Sequence, residues 1–165
     1  MKEKNKYVLR FSLGEDEYAF RIEEVKEVIR MVIIKEIPRL PGFVKGAVNY
    51  RGQIIMVIDL RERFGLEDYK FTKNTRIIIV NINTKDIAFI VDSVNKIEDV
   101  SSNNITSPAN YPVTIDENFI YGIFKSDENI IPVLNVPGIL SKEEIETLSN
   151  VKLDEKLMYD EASKK

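Results

Sequence analysis

The sequence contains no cysteine and no histidine. Without cysteine, the chain can form no disulfide, thiol nucleophile or zinc–thiolate site. Without histidine, it lacks the usual base of nucleophilic triads and the commonest transition-metal ligand. Carboxylates, lysine and tyrosine still permit catalysis, so the two absences lower the expectation of an enzyme without excluding one.

A strong charge of one sign and long apolar runs are missing as well. The 24 basic and 27 acidic residues give a net charge of -3, without the basic footprint of a nucleic-acid or membrane-surface binder. The longest apolar runs, residues 54–60 and 77–80, are too short to span a bilayer. Residues 1–10 lack the apolar stretch of a secretory signal. We therefore expect a cytoplasmic protein whose 165 residues form one domain or two small lobes.

Strand-like segments separated by turn residues dominate the chain and predict four hairpins. The turns include Gly14 and Gly52, residues that tolerate a positive φ. The predicted hairpins join residues 7–13 to 17–22, 45–50 to 53–59, 75–82 to 86–91, and 119–125 to 130–135. Many short strands at this spacing are typical of small antiparallel barrels.

Helical signals are sparse. The spacing of Ile22, Val25 and Ile29 predicts a short helix over residues 23–28, and one turn is expected over residues 60–64. Ser141 and Glu144 have the spacing of a capping box, which predicts a helix over residues 142–149. Residues 151–165 form a charged tail that either extends this helix or frays.

Two segments of the sequence repeat at fixed offsets. Gly46 and the apolar strand that follows it match Gly122 and its following strand, 76 positions later. Upstream, the residues from Tyr18 match those from Ile87, 69 positions later. We predict a duplicated plan over residues 7–64 and 76–140 within one domain, 1–150, although hairpins also resemble one another without duplication. Two copies would form two lobes with a groove between them.

Acidic clusters are the main candidates for chemistry. Glu23, Glu24 and Glu27 lie close together, and residues 15–17 form an acidic turn. General acid–base catalysis needs two carboxylates that converge on one pocket in different environments. Both clusters have lysine and arginine nearby, as solvated charges usually do. A carboxylate enzyme or a small-molecule-binding barrel stays as the alternative hypothesis and predicts a deep, polar pocket.

Arg51 stands out at the tip of the second hairpin, beside Gly52. An exposed arginine next to a turn glycine is the ordinary interpretation. The corresponding turn of the second copy, residues 126–129, has neither arginine nor glycine, so a duplicated plan does not require Arg51. A guanidinium also suits partner surfaces because it forms forked hydrogen bonds. Phe43, in the segment before this hairpin, fits a core position better than a contact.

Taken together, these segments resemble the CheW family of chemotaxis coupling proteins. The resemblance covers about residues 7–148, and its most specific part is the Gly-x-x-Asn-x-Arg-Gly stretch that starts at Gly46, followed by Val57, Ile58, Asp59 and Leu60. The segments that carry it are residues 11–22, 25–29, 41–52, 57–61, 75–80 and 91–94. It implies two five-stranded β-barrel lobes with a few short helices and a C-terminal helix. In this family the first strand is thought to cross to the other lobe.

The resemblance also implies a non-catalytic adaptor that couples methyl-accepting chemotaxis receptors to the histidine kinase CheA. It implies that the receptor tip binds in a helix-in-groove mode, without a cofactor or metal. The implied receptor-binding residues are Val25, Glu27, Val28, Lys45, Gly46 and Arg51. Glu27 and Arg51 are expected to face each other across the groove.

The same resemblance implies that the regulatory domain of CheA binds lobe to lobe, and that a second contact of this kind closes rings in receptor arrays at the membrane. The implied kinase-binding residues are Phe43, Met56, Asp59, Asn110 and Tyr111.

Two related protein classes, CheA and CheV, fit the sequence less well than the CheW family. The chain has no kinase or phosphotransfer segment like CheA, and no room for the receiver domain of CheV.

Overall fold

Ten strands and three short helices form the protein in a computed structural model, which describes residues 6–67, 70–100, 104–110, 115–126 and 128–150. The predicted tail, 151–165, lies outside these residues. The strands are β1 (Tyr7–Leu13), β2 (Asp16–Arg21), β3 (Val25–Arg30), β4 (Val44–Tyr50), β5 (Gln53–Asp59), β6 (Arg76–Ile82), β7 (Lys85–Val91), β8 (Ser93–Asp99), β9 (Ile120–Ser126) and β10 (Asn129–Leu134). The helices are α1 (Leu60–Arg63), α2 (Val136–Ile139) and α3 (Lys142–Ser149).

All four predicted hairpins are present, and the strands form two five-stranded sheets. Sheet A has the order β8-β1-β2-β10-β9, and sheet B has the order β3-β6-β7-β5-β4. The two orders are equivalent: if each strand of the first five is exchanged for the strand five places later, and each of the last five for the strand five places earlier, the order of sheet A becomes that of sheet B. The starts of β1 and β6 are 69 positions apart, and those of β4 and β9 are 76 apart. Neither sheet is built from one predicted copy, because β1 and β2 pair with strands of the second half.

Irregularities of the sheets recur at equivalent positions. Extra residues interrupt the ladders at Lys26 in β3 and at Asn95 in β8. A second pair of bulges lies at Lys45 in β4 and at Tyr121 in β9. A β-bulge bends its strand and increases the local twist, so both sheets curl in the same way.

The curled sheets are not closed into barrels, so the barrel description is not confirmed. Within the described ranges, no ladder joins the edge strands β3 and β4, or β8 and β9. Instead a single bridge spans each gap: Lys35 pairs with Ala47 in sheet B, and Thr106 pairs with Ile123 in sheet A. The two lobes are therefore open, strongly curved sheets.

The predicted helix over residues 23–28 is wrong. A 3-10 turn, Ile22–Glu24, is followed directly by strand β3, which pairs with β6. Ile22 lies in the 3-10 turn, and Val25 and Ile29 pack into different apolar clusters, so the three residues share no single face although their spacing fits a helical period. By contrast, the predicted helix over residues 142–149 is confirmed as α3. Its capping box is present, because Ser141 accepts from Glu144 N and the Glu144 side chain accepts from Ser141 N.

Three apolar clusters hold the sheets. The largest contains residues of both sheets, and the rings of Phe20 and Phe89 stack in it with centroids 5.8 Å apart. Each sheet also has a smaller cluster on its concave side.

Two arginines reinforce the junction between the halves. Arg61 of α1 forms a forked ion pair with Asp92, and Arg63 forms one with Glu144 of α3. No helix in the described part of the chain is long and apolar enough to cross a membrane.

Candidate functional site

The turn between β4 and β5 carries Arg51 in an unusual backbone conformation. Arg51 has φ 51° and Gly52 has φ 80°, the two positive values of a tight hairpin turn that asparagine and glycine favour. A side chain with a Cβ is disfavoured at such a position. An arginine there is therefore better explained by a role of its side chain than by the needs of the turn.

Arg51 connects the two edges of sheet B. Its Nη2 lies 3.1 Å from Oε1 of Glu27 in β3, while Arg51 itself follows β4. The predicted pairing of these two side chains is thus present in the described structure. The Arg51 side chain is 74% exposed, so most of the guanidinium faces solvent.

Tyr50 is the third member of this group. The Arg51 guanidinium carbon lies 5.1 Å from the centre of the Tyr50 ring, a cation–π geometry. The neighbouring Glu27 carboxylate raises the pKa of the Tyr50 phenol by hydrogen bonding. Arg51 therefore contacts both Glu27 and the Tyr50 ring, and the three groups form a clasp, defined here as Tyr50, Arg51 and Glu27, across the gap between β3 and β4.

A shallow depression of about 240 Å³ lies beneath the clasp. Its apolar floor consists of Ile55 and Ile79, side chains of the concave cluster of sheet B. The residues that line it are Lys26, Glu27, Tyr50, Arg51, Gln53, Ile55, Ile79 and Asp86. Drug-sized ligands occupy pockets of roughly 300–1,000 Å³, so the depression suits a side chain of a partner better than a free small molecule.

A second ion pair borders the depression. Nζ of Lys26 lies 2.5 Å from Oδ2 of Asp86, and Asn81 also donates to Asp86. Burial by itself raises the pKa of Asp86, but the hydrogen bonds from Lys26 and Asn81 and the charge of Lys26 outweigh it and lower that pKa. The rim therefore carries two cations and two anions around an apolar floor, an arrangement that can bind an apolar side chain flanked by charges.

The other predicted receptor-binding residues on β3 lie beside this site. Val28 is 37% exposed. Val25 is half-buried and packs against the largest apolar cluster. The structure therefore brings Val25, Glu27 and Val28 of β3 close to Arg51, at the gap between the two edge strands β3 and β4 of sheet B, with Val28 as the open apolar surface.

Lys45 and Gly46 lie at the other end of β4. Lys45 pairs with Glu62 of α1 at 3.0 Å. Gly46 has φ 145°, and a Cβ there would lie 2.0 Å from the carbonyl oxygen of Lys35. The described structure thus gives Gly46 a clear local role, because the chain crosses β4 too closely at this point for any side chain.

Three of the predicted kinase-binding residues offer little surface. Met56 and Asp59 are 8% and 9% exposed, and Phe43 is half-buried against the largest cluster with Arg63 over its ring at 4.6 Å. Burial raises the pKa of Asp59, whose carboxylate accepts from Arg61 N and caps α1.

The predicted ring contact is described only in part. Asn110 ends a 3-10 turn, Pro108–Asn110. Tyr111 lies outside the described residues. These two positions stay predictions.

Sequence reasoning missed six of the eight residues that line the depression: Lys26, Tyr50, Gln53, Asp86 and the floor residues Ile55 and Ile79. The repeat contained one usable signal. Ile79 lies 69 positions after Arg10, and Tyr50 lies 76 positions before Ser126, so the two halves differ in chemistry at equivalent positions. No group of three or more acidic side chains that could hold a metal ion occurs in the part of the chain that the structure describes.

Comparison with known proteins gives consistent matches across the chain. The model of the CheW-like domain matches residues 7–144. A chemotaxis protein CheW from Helicobacter pylori is 30% identical over 145 residues, covering 86% of this chain and 87% of that protein. A chemotaxis protein CheW from Klebsiella aerogenes is 29% identical over 143 residues, covering 87% and 86%. The crystal structure of the scaffolding protein TtCheW from Thermoanaerobacter tengcongensis superposes with a TM-score of 0.80, at 36% identity, covering 87% of this chain and 92% of that chain.

Proposed function

Because this chain belongs to the family of CheW-like domains, we propose that it is a non-catalytic adaptor that couples methyl-accepting chemotaxis receptors to the histidine kinase CheA. The names of its relatives, chemotaxis and scaffolding proteins, support this role. The observation that carries the proposal is the apolar depression of sheet B beneath an exposed arginine clasp.

The receptor is proposed to dock with a helical segment on the edge formed by β3 and the β4–β5 turn. Val28 supplies exposed apolar area there, and Arg51 supplies a guanidinium that is mostly in solvent. A helix presents side chains three and four positions apart on one face. One apolar side chain can enter the depression while a neighbouring one covers Val28, as in other helix-in-groove complexes.

The kinase regulatory domain is proposed to bind elsewhere on the chain. Met56 and Asp59 are buried and Phe43 is half-buried, so their part of the surface would act largely through the side chains around them, such as Arg63 over the Phe43 ring. Asn110 and Tyr111 are proposed for a second contact of the same kind. Recruitment to receptor arrays in the cytoplasm would follow from receptor binding alone.

Coupling by an adaptor needs two partners and no chemical step. If the receptor and the kinase bind distinct surfaces and each favours one of two states of the protein, binding of either partner alters the affinity for the other by the same factor. The forked pairs of Arg61 with Asp92 and of Arg63 with Glu144 join the halves and would transmit such a change.

The alternative, a carboxylate enzyme or a small-molecule-binding barrel, has less support. Burial raises the pKa of both Glu24 and Asp59. Glu24, however, pairs with Arg21, and Asp59 caps α1. The two carboxyls therefore serve structural contacts in different elements, whereas acid–base catalysis needs groups that converge on one pocket.

The test is a calorimetric titration of the protein with two partners separately. One is a soluble fragment of a receptor cytoplasmic tip, and the other is the regulatory domain of the kinase, both from the same source. We expect binding to both, and a ternary complex when both are present. No binding to either at about 1 mM, where roughly 4 kcal/mol of affinity suffices, would overturn the proposal.

Two variants locate the receptor surface. Arg51→Ala and Val28→Asp should each weaken receptor binding about tenfold or more, as for central interface residues, and leave kinase binding unchanged. Val28 is preferred to Val25 because Val25 packs against the core, where a charge would also disturb folding. Asn49→Ala, in the strand β4 just before the turn that carries Arg51, is the matched control and should bind both partners normally.

A further inference from the structure

Tyr50 lies between the charged pair and the apolar floor. It is the last residue of β4, its ring lines the depression, and it packs against the concave apolar cluster of sheet B. The guanidinium of Arg51 lies over that ring, and Glu27, which lines the same depression, raises the pKa of the phenol. Tyr50 therefore contacts Arg51 and lies near Glu27 from a position fixed by the core.

Arg51 needs such a support in order to act as a recognition group. Its side chain is long and 74% exposed, and a free arginine loses much rotamer freedom when a partner fixes it. A single hydrogen-bonded contact at 3.1 Å to Glu27 restrains one end of the guanidinium. Contact with an aromatic face restrains its plane, so the two contacts together pre-organise the group.

The equivalent position of sheet A supplies an independent internal comparison. Ser126 ends β9, 76 positions after Tyr50. Its hydroxyl accepts from Arg10 Nη1 at 3.0 Å and lies 3.3 Å from Oε1 of Glu98 in the opposite edge strand β8. In both sheets, then, the last residue of the outer strand brings a hydroxyl to an arginine–glutamate pair.

We propose that Tyr50 is a positioning residue of the receptor-docking surface, whose ring and hydroxyl hold Arg51 and Glu27 in the arrangement that the partner meets. This inference rests on the proposed function and deepens it. The ring sets the plane of the guanidinium, and the hydroxyl keeps the Glu27 carboxylate at the gap between β3 and β4. Tyr50 acts through its two neighbours rather than by donating to the partner.

The test uses two substitutions in the full chain. Tyr50→Phe keeps the ring and removes the hydroxyl, and Tyr50→Leu removes the ring as well. Loss of one hydrogen bond predicts about three- to tenfold weaker binding of the receptor-tip fragment for Tyr50→Phe. We expect a larger loss, about tenfold or more, for Tyr50→Leu. Kinase binding should not change in either variant.

A spectroscopic measurement separates positioning from a general structural role. The Arg51 Nε–Hε resonance, assigned with Arg51→Lys, should shift and broaden in Tyr50→Phe and more so in Tyr50→Leu. Ser126→Ala is the matched control, because it removes the equivalent hydroxyl from the other sheet; it should leave this resonance and receptor affinity unchanged. In an Arg51→Ala background, Tyr50→Phe should add little further loss of affinity.

Each outcome decides the proposal. Wild-type receptor affinity in both Tyr50 variants, or a full additional loss in the Arg51→Ala background, would overturn it. If the wild-type protein binds no receptor fragment, the proposed function fails, and the Arg51 resonance alone then decides the positioning role. An unmoved resonance in Tyr50→Leu refutes that role, and a shifted resonance supports it.

Discussion

Sheets A and B share one plan but use their charged groups in opposite ways. In sheet B, Ile79 lies on the floor of the open depression and Arg51 faces solvent above it. In sheet A, the position equivalent to Ile79 is Arg10, 69 residues earlier, and Arg10 is only 6% exposed. The same backbone therefore supports an open surface in one sheet and a buried ion-pair network in the other.

The contacts of Arg10 explain how sheet A tolerates a buried charge. Its guanidinium makes a forked contact with Glu17, at 2.7 and 3.1 Å, and bonds to Glu98 at 2.7 Å and Ser126 at 3.0 Å. A buried arginine is stable only when its charge and its donors are paired. Because Arg10 directs these donors inward, sheet A presents no equivalent of the Arg51 clasp in its described residues.

The largest expected effect tests the close chain crossing that both sheets contain. Gly46→Ala should lower the free energy of unfolding by about 4 kcal/mol, since its Cβ would meet the Lys35 backbone and its φ is positive. Gly122→Ala should cost only about 2 kcal/mol, because its nearest obstacle is the Ile105 side chain. Urea unfolding measures both. Equal losses of unfolding free energy would show that the two glycines face equally rigid obstacles, which would contradict the expected difference between the sheets.

The next effect tests the buried network. Arg10→Leu should lower the free energy of unfolding by about 3 kcal/mol, because it leaves two carboxylates without their cation. The matched substitution in sheet B, Arg51→Ala, should change it by less than about 0.5 kcal/mol, as expected for an exposed pair. Urea unfolding at pH 7 compares the two variants. A loss in Arg51→Ala as large as in Arg10→Leu would contradict the assignment of the clasp to recognition.

A smaller effect concerns acid sensitivity. Burial raises the pKa of Glu17, but hydrogen bonds from Arg10 and Asn95 and the charge of Arg10 outweigh it and lower that pKa. A carboxylate with a lowered pKa in the folded protein contributes stability above its unfolded pKa, and this contribution disappears as the pH falls through the folded value. Glu17→Gln should therefore cost about 1–2 kcal/mol at pH 7 and make the acid dependence shallower.

Asp86, 69 positions after Glu17, provides the comparison. Its pKa is lowered as well, but its partner Lys26 is 54% exposed. Asp86→Asn should therefore cost only about 0.5 kcal/mol at pH 7. Unfolding free energies between pH 3 and pH 7 test both variants, and a steeper acid dependence in Glu17→Gln than in the wild type would reverse the sign of the prediction.

The smallest effect sharpens the comparison at one hydroxyl. Ser126→Ala should destabilise the protein by about 1 kcal/mol, because it removes one hydrogen bond from the buried network. Tyr50→Phe should cost less than Ser126→Ala, since the Tyr50 hydroxyl is at the surface whereas that of Ser126 is buried in the network. Thermal unfolding at neutral pH distinguishes them. The reverse order would mean that the clasp, rather than the network, stabilises its sheet.

Local sequence signals predicted most of the strands. Turn glycines marked the first two hairpins, and the capping box of Ser141 and Glu144 marked α3. The strand β3 was missed because the spacing of Ile22, Val25 and Ile29 fits a helical period, although the bulge at Lys26 lies between Val25 and Ile29 and the two pack into different clusters. The strand β8 was missed because the chain there is polar and exposed. Bulges depend on the partner strand, which a local pattern does not contain.

The turn and its missing counterpart in the second copy singled out Arg51, and the resemblance added Glu27 as its partner. Their contact is present. The network of Arg10 was not predicted, because it joins residues 88 and 116 positions apart. Those residues meet only because β1 and β2 pair with the second half of the chain, and no periodicity of one segment encodes that pairing.

The exchange of β1 and β2 between the halves also sets the order of events during synthesis. The first hairpin carries Phe11 and Phe20, both fully buried in the finished protein. Its neighbour β10 ends at Leu134, so at about 5–20 residues per second the ribosome needs roughly 5–25 s more to supply it. During this interval β3 to β7 can complete sheet B on their own. This hairpin is synthesised before β3 to β10 and yet is among the last of these elements to be covered, so it is a segment that a nascent-chain chaperone has reason to hold.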